Sequence, residues 1–354
     1  MNTQRRQGVL MALGAGLSVG VSGPLKAAAP APLQWRDAAL LAYGTTVWLR
    51  AAHTDGARAQ AGLDAAAAAV MRVDALMSLY RPDSELVRLN RDGVLHAPSP
   101  EMMTVLRLAQ QVSARSGGSF DVTVQPLWAL WQRCQQEGRQ PSHVELQQAR
   151  SSVGWRDVHI NSQRITLGKP GMALTLNGIA QGFAADQARD ALRRHGIEHA
   201  LLDTGEWLPM GQAPDNGVWR LGVAHPRLPS RVIATLLADG RALACSADNK
   251  CSFSADLREH HIFDPRSGRS PRALSSVVVA AKSATLADAL SKPLMMGSSA
   301  QAPDALVGCL AHGQPFAGVE HCMLNAVAAQ SLTRLVGSKT LRDAVQRQRH
   351  AGFG

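Results

Sequence analysis

Four stretches of this chain carry side chains whose types and spacing could do chemistry. In the segment Ala284–Ser291 and just beyond it, Asp288 and Lys292 stand four residues apart, so on a helix an acid and a base share one face. The plain use of such a pair is to solvate that face. His261 stands just before the turn Asp264-Pro265-Arg266-Ser267-Gly268. A neutral imidazole there can take a proton from a hydroxyl near neutral pH, or can simply be hydrogen-bonded within a strand. Asn177-Gly178 lies where a strand turns into a helix, which leaves backbone N–H groups and the positive end of a dipole facing a ligand. That is a physically reasonable seat for a pyrophosphate, although Asn-Gly is also an ordinary turn. Asp121, after Gly118-Ser119-Phe120, can cap the helix expected from Gln125 or face a ligand.

The elements that must position these groups are legible in part. Gly44 to Ala51 alternates and reads as a strand. Ala57 to Leu79 is Ala-rich, with Leu63, Val70, Val73 and Leu76 at helical spacing, and Pro82 follows its end. Met77 and Tyr80 then sit near the end of that helix, where core packing is the usual role of such residues. Pro100 to Arg115 is a second helix with Pro and Glu in its first turn, stopped by Gly117-Gly118. Ser119-Phe120-Asp121 enters a short strand, and a helix with Trp128 and Trp131 starts at Gln125. Val158 to Leu176 reads as two or three short strands, and the helix opened by Asn177-Gly178 runs to about His195. Leu201 to Asp203, Val218 to Ala224, Val232 to Leu237, Ala242 to Ser246 and Ser275 to Ala280 read as strands. Pro293 should kink or end the Asp288 helix and redirect Lys292. No repeat of 20 to 50 residues recurs. Strands and helices mix without regular βαβ alternation, and there is no G-x-G-x-x-G after a strand and no Walker motif. The expectation is an α+β fold of mixed or antiparallel sheets flanked by helices, in a single large domain.

The stretch His260-His261-Ile262-Phe263-Asp264-Pro265-Arg266-Ser267-Gly268, followed by a strand and Ala287-Asp288-Ala289-Leu290-Ser291, resembles the ApbE family, the FAD:protein FMN transferases, whose pattern is close to H-I-[IV]-D-P-R-T-G and A-D-A-L-[SA]-T-A-L. Three more blocks follow the family's order. Met77-Ser78-Leu79-Tyr80 with Ser84-Glu85-Leu86 and Asn90 is similar to M-S-x-Y-x-x-x-S-E-[LI]-x-x-x-N. Gly118-Ser119-Phe120-Asp121-Val122-Thr123-Val124-Gln125-Pro126-Leu127 is similar to G-x-F-D-x-T-V-x-P-L. Leu176-Asn177-Gly178-Ile179-Ala180-Gln181-Gly182-Phe183-Ala184-Ala185-Asp186 resembles L-G-G-I-A-K-G-Y-A-x-D. The resemblance covers Tyr43 to about Gly297.

It implies cleavage of the FAD pyrophosphate, transfer of FMN to a Ser or Thr of another protein, and release of AMP. It places Met77 and Tyr80 on the adenosine half of FAD, and Ser119, Phe120, Asp121, Thr175, Gln181 and Ile262 against the dinucleotide. It makes His261 the catalytic base. It also implies Mg²⁺, held at the positions of Asp288, Lys292 and the Gly178 carbonyl. Lys292 departs from the family's Thr, and a charged ammonium has no lone pair for a cation. Gln181 departs from the common Lys. Asp203 and Glu206 lie in a block where only half of N-L-G-G-D is kept, so they shape the flavin end or are ordinary turn residues. Besides the transferase, the residues leave open a non-catalytic FAD-binding accessory protein with a degenerate metal site, and a Mg²⁺-dependent FAD pyrophosphatase.

Composition narrows the setting. The chain has 354 residues, 45% of them apolar, and a formal charge of +10. A basic surface suits an anionic dinucleotide or an anionic membrane face and specifies neither, and 4% aromatic residues without a basic-aromatic stripe argue against nucleic acid. Arg5-Arg6, a short Gly-containing apolar stretch and Ala27-Ala28-Ala29 describe a twin-arginine export signal over residues 1–28, too short for a membrane anchor, with a periplasmic product. Without Arg5, Arg6 and Lys26 the remainder carries about +7. The catalytic domain is expected over 29–335, and the Gln- and Arg-rich tail 336–354 is expected to be disordered. The acceptor implied is an exported or membrane respiratory electron-transfer protein. Of five cysteines no pair has C-x-x-C spacing, so structural zinc is not indicated and at least one thiol stays free.

Overall fold

The computed structural model describes residues 31–228 and 230–297, together with the backbone of 320–325 and 335–337. The chain divides into two compact units, Met1–Pro32 and Leu33–Gly354. Residues 1–28, where an export signal is expected, and the tail beyond Gly337 lie outside the described residues.

An eight-stranded sheet forms the backbone of the fold. In spatial order it runs β1 (Gln34–Ala42), β2 (Thr45–His53), β6 (His199–Asp203), β7 (Trp207–Met210), β10 (Ala242–Ala247), β11 (Leu274–Ala281), β12 (Glu320–Asn325) and β13 (Leu335–Gly337). Every pairing within it is antiparallel. β13 takes in the first two residues of the tail expected to be disordered. A three-stranded sheet joins β3 (Val94–His96), β5 (Arg164–Leu167) and β4 (Val158–Ile160), and β8 (Arg220–Ala224) pairs with β9 (Val232–Leu237). The helices are α1 (Gly56–Met77), α2 (Glu85–Asp92), α3 (Pro100–Arg115), α4 (Gln125–Gln136), α5 (His143–Ser151), α6 (Ala180–Arg194) and α7 (Ala284–Met295). This is the α+β, antiparallel architecture expected.

The main core lies where α1, α6 and α7 pack on the sheet. Leu49, Leu63, Val70, Val73, Leu86 and Leu290 are fully buried there, each worth about 1.5–3 kcal/mol of transfer from water. A second cluster of Leu127, Leu130, Trp131, Leu146 and Phe263 ties α4 and α5 to the His260–Phe263 segment. Phe253 stacks on Phe263 with ring centroids 5.9 Å apart, which holds that segment from the outside.

Three local expectations are corrected. Ser119-Phe120-Asp121 is loop, not the entry to a strand. α4 starts after Val124 with no side-chain cap, so Asp121 does not cap it. Pro293 does not end α7, which runs two residues further, to Met295. The loss is small because Pro293 falls in the last turn, where few residues remain to be disturbed.

Candidate active site

A cleft of about 150 Å³ opens between the α3–α4 loop, the entry to α6, the end of β10 and the His260–Phe263 segment. Ser119, Phe120, Asp121, Thr175, Gly178, His261, Ile262 and Lys292 all line it, residues brought together from four separate parts of the sequence. A larger chamber of about 380 Å³ lies under β8, with Trp207, Leu221, Leu243 and Val278 in its walls. The two cavities share Cys245, Ala247 and Lys250.

The floor is made by a reciprocal clamp of two helices. Asp186 of α6 accepts hydrogen bonds from Ala284 N (3.1 Å), Thr285 N (3.0 Å), Thr285 Oγ1 (2.6 Å) and Ser283 Oγ (2.7 Å), so it caps α7 together with Ser283. In return Asp288 of α7 accepts from Gly182 N at 3.2 Å, in the first turn of α6. The helices approach so closely that a Cβ on Gly182 would stand 2.3 Å from the Ala284 carbonyl oxygen. Only glycine fits there. The α6 N-terminus expected to seat a pyrophosphate therefore gives one of its N–H groups to the chain's own carboxylate.

The α3–α4 loop is pinned by Asp121. Its carboxylate accepts from Thr123 N (2.8 Å), Thr123 Oγ1 (2.6 Å) and Trp155 N (3.0 Å). Burial pushes its pKa up, and these three donors work the other way. Thr175 N donates to Val122 O at 2.8 Å, which fixes the loop against the extended segment before α6; that segment is not the strand expected there, and the helix starts at Ala180 rather than at Asn177-Gly178.

On the opposite wall, His261 Nδ1 lies 3.1 Å from the Cys251 carbonyl oxygen. A carbonyl only accepts, so Nδ1 carries the proton and Nε2 keeps its lone pair. Burial lowers the imidazole pKa to about 4, so the ring is neutral at physiological pH. Asp264 does not touch the cleft lining. It closes its own turn, accepting from Arg266 N (3.0 Å) and pairing with the Arg266 guanidinium at 2.9 Å.

The sequence profile of the ApbE family matches residues 43–309. The chain belongs to the ApbE family. It is 32% identical over 229 residues to the FAD:protein FMN transferase of Vibrio cholerae serotype O1, covering 62% of this chain and 68% of that protein. The solved flavin transferase ApbE from Vibrio cholerae superposes with a TM-score of 0.73 at 24% identity, over 88% of this chain and all of that one. The ApbE protein of Thermotoga maritima gives 0.74 at 24% identity, over 88% and 99%.

Within this ApbE-family chain three expected ligand contacts stand apart from the cleft. Met77 is 1% exposed, and its side chain packs in the main core. Tyr80 is 61% exposed, and a Cβ on Gly44 would meet its ring at 3.0 Å. Gln181 turns to the β6–β7 turn instead, where a Cβ on Gly205 would meet its amide nitrogen at 2.5 Å.

The cation implied by the family does not fit the residues present. Lys292 puts its ammonium directly on Asp288 Oδ1, with the Asp288 carbonyl oxygen at 3.2 Å. The other carboxylate oxygen is the one taken by Gly182 N–H. Asp288 itself is fully buried. Among the described residues no group of three or more His, Cys, Asp and Glu could hold a metal ion. The expected Mg²⁺ site at Gly178, Asp288 and Lys292 is thus filled by a side chain of the chain itself.

Glu206 is the functional group that sequence reasoning left undecided. It is 4% exposed, and Cys245 N donates to its Oε2 at 3.3 Å. Burial first, and the Asp288 charge second, hold its carboxyl pKa well above the usual range, while Lys292 and the Cys245 N–H work the other way. Burial works against the Lys292 charge, but Asp288 and Glu206 outweigh it and raise the Lys292 pKa. Asp203, by contrast, only closes its turn onto Gly205 N at 3.1 Å. No local signal separates these two acids; the strand pairing that brings β7 beside β10 does.

Proposed function

We propose that this chain is an FAD:protein FMN transferase. In this reading FAD lies along the cleft and the adjoining chamber, and an acceptor Ser or Thr hydroxyl reaches the cleft from solvent. His261 Nε2 takes the hydroxyl proton as the oxygen attacks the phosphorus on the FMN side. The bond from that phosphorus to the bridging oxygen breaks, and AMP leaves with the oxygen. Most of the catalysis in such a transfer is positioning and neutralisation of developing charge. The observation that carries the reading is the His261 tautomer, a neutral ring with its free nitrogen available at the wall of an ApbE-family cleft. The adenosine half would then extend beyond the cleft lining to Tyr80, whose exposed ring, held on Gly44, is a stacking platform. Mg²⁺ is left out of the reaction because its place is taken.

The acceptor is proposed to be an exported or membrane-bound electron-transfer protein, with residues 1–28 directing this chain to the periplasm through the twin-arginine route. No helix among the described residues is long and apolar enough to cross a membrane. Replacing Arg5 and Arg6 by Lys should leave the full-length precursor in the cytoplasm, and unchanged export sinks that part. The activity is tested by incubating purified protein with FAD and a candidate acceptor. AMP and a covalently flavinylated acceptor should form together. AMP formed equally fast without acceptor identifies a pyrophosphatase, and FAD bound without AMP in either case identifies an accessory protein.

A further inference from the structure

We propose that Lys292 is a built-in substitute for a divalent cation: its ammonium, seated on Asp288, meets the pyrophosphate directly, and Lys250 supplies the net positive charge, so that FAD is bound and cleaved without metal. This rests on the flavin-transferase reading above.

Three features of the geometry carry it. First, both Asp288 oxygens are committed, one to the Lys292 ammonium and one to Gly182 N–H, and the residue is wholly buried. A divalent ion reaching that carboxylate would have to eject an ammonium that repels it. Second, Lys292 is fitted into this place rather than passing through it. Its stem lies across Gly178, where a Cβ would come within 3.0 Å of Lys292 Cε. Two of its three N–H groups go to Asp288 Oδ1 and O, which leaves the third for a ligand oxygen. The side chain stays 20% exposed and lines the cleft. Third, charge is restored elsewhere. A divalent ion on one carboxylate leaves a net +1, whereas the Lys292–Asp288 pair is neutral. Lys250, exposed on the same wall and shared with the adjoining chamber, brings the +1 back. A dinucleotide diphosphate then finds a point donor at Lys292 and an exposed cation at Lys250.

The test is a flavin-fluorescence titration of FAD in EDTA and in Mg²⁺, paired with Mn²⁺ binding followed by electron paramagnetic resonance. Wild type should bind FAD within twofold equally in the two buffers and should hold no stoichiometric Mn²⁺. Lys250→Met, at an exposed position that should not disturb folding, should weaken FAD about tenfold in both buffers, as loss of one close charge contact does. Lys292→Thr should bind one Mn²⁺ and acquire Mg²⁺-dependent FAD binding. Lys292→Arg guards against a misfolded variant, because it keeps the charge and should keep metal-independent binding. Wild-type FAD binding or AMP release that EDTA abolishes and Mg²⁺ restores overturns the inference while leaving the transferase reading intact. Wild type that binds no FAD in either buffer overturns both.

Discussion

Two regions of the molecule carry the family pattern in sequence and differ completely in what their side chains do. The α6–α7 clamp buries Asp186, Gly182 and Asp288 with their polar partners in place, and its departure from the pattern, Lys292, sits at the centre of the cleft. The Met77–Tyr80 corner splits its motif. Met77 goes wholly into the core and Tyr80 into solvent. A motif position therefore marks a shared backbone path, and only burial and partners reveal whether its side chain meets a ligand or the core.

The largest effect should come from breaking the clamp. Lys292→Met strands a fully buried carboxylate and should cost about 3–5 kcal/mol in denaturant unfolding, whereas Lys292→Met with Asp288→Asn should recover much of that loss. A loss below 1 kcal/mol for the single variant would mean that Asp288 is hydrated and the pair is a surface feature. Gly182→Ala should cost about 1–3 kcal/mol or more, since the new methyl meets backbone and not a flexible chain end. Met77→Ala belongs to the same order, about 2–5 kcal/mol, through the cavity it leaves.

Much of the helical frame around this clamp is legible in the sequence. Pro100 and Arg115 bound the second long helix as expected, and α6 closes at Arg194, with His195 as its cap. What escaped was what has little local periodicity. α2 is only eight residues long and half charged, and it is stabilised by the Ser84 cap and by Leu86 and Leu89 facing the core. α5 was readable in principle, because Ser142 and Glu145 form a capping box. β1 hides behind Arg36 and Asp37, and the latter pairs across the hairpin with Arg50 at 2.7 Å. The site shows the same division. His261, Gly178 and Asp121 announced themselves through motifs, but the union of Glu206 with Asp288 and Lys292 depends on contacts between residues more than eighty positions apart. That Pro293 leaves Lys292 on the inner face of α7 also needed the packed helix, because local rules favoured a break.

A smaller effect concerns pH. His261 has a folded pKa of about 4, below its ordinary value of 6.5. Between those values the unfolded chain binds the proton and the folded chain does not, so stability rises with pH across this window and falls on acidification from 6.5 to 4. The contribution at neutral pH is about 2 kcal/mol after discounting for partial exposure. His261→Gln should flatten the pH dependence of unfolding in that interval while abolishing flavin transfer at every pH. A variant whose stability still falls by the full amount would assign the proton uptake to another group, with His260, whose pKa burial also lowers, first in line.

The smallest change in stability, and the sharpest test of the comparison, belongs to Tyr80. With 61% of its surface in water its removal should move the unfolding free energy by about 0.5 kcal/mol or less, far below the cost at Met77 three residues earlier. If the exposed ring stacks on the adenine, Tyr80→Ala should weaken FAD by about tenfold, because one aromatic stack on a base is worth about 1–3 kcal/mol. FMN, which carries no adenine, should bind the variant as it binds wild type. Tyr80→Phe should restore FAD, since the ring and not the hydroxyl makes the stack. Equal losses for both flavins would place the ring at the flavin end. No loss for either would leave the whole Met77–Tyr80 corner outside the site, as a part of the motif kept for its path around Gly44 and not for a ligand.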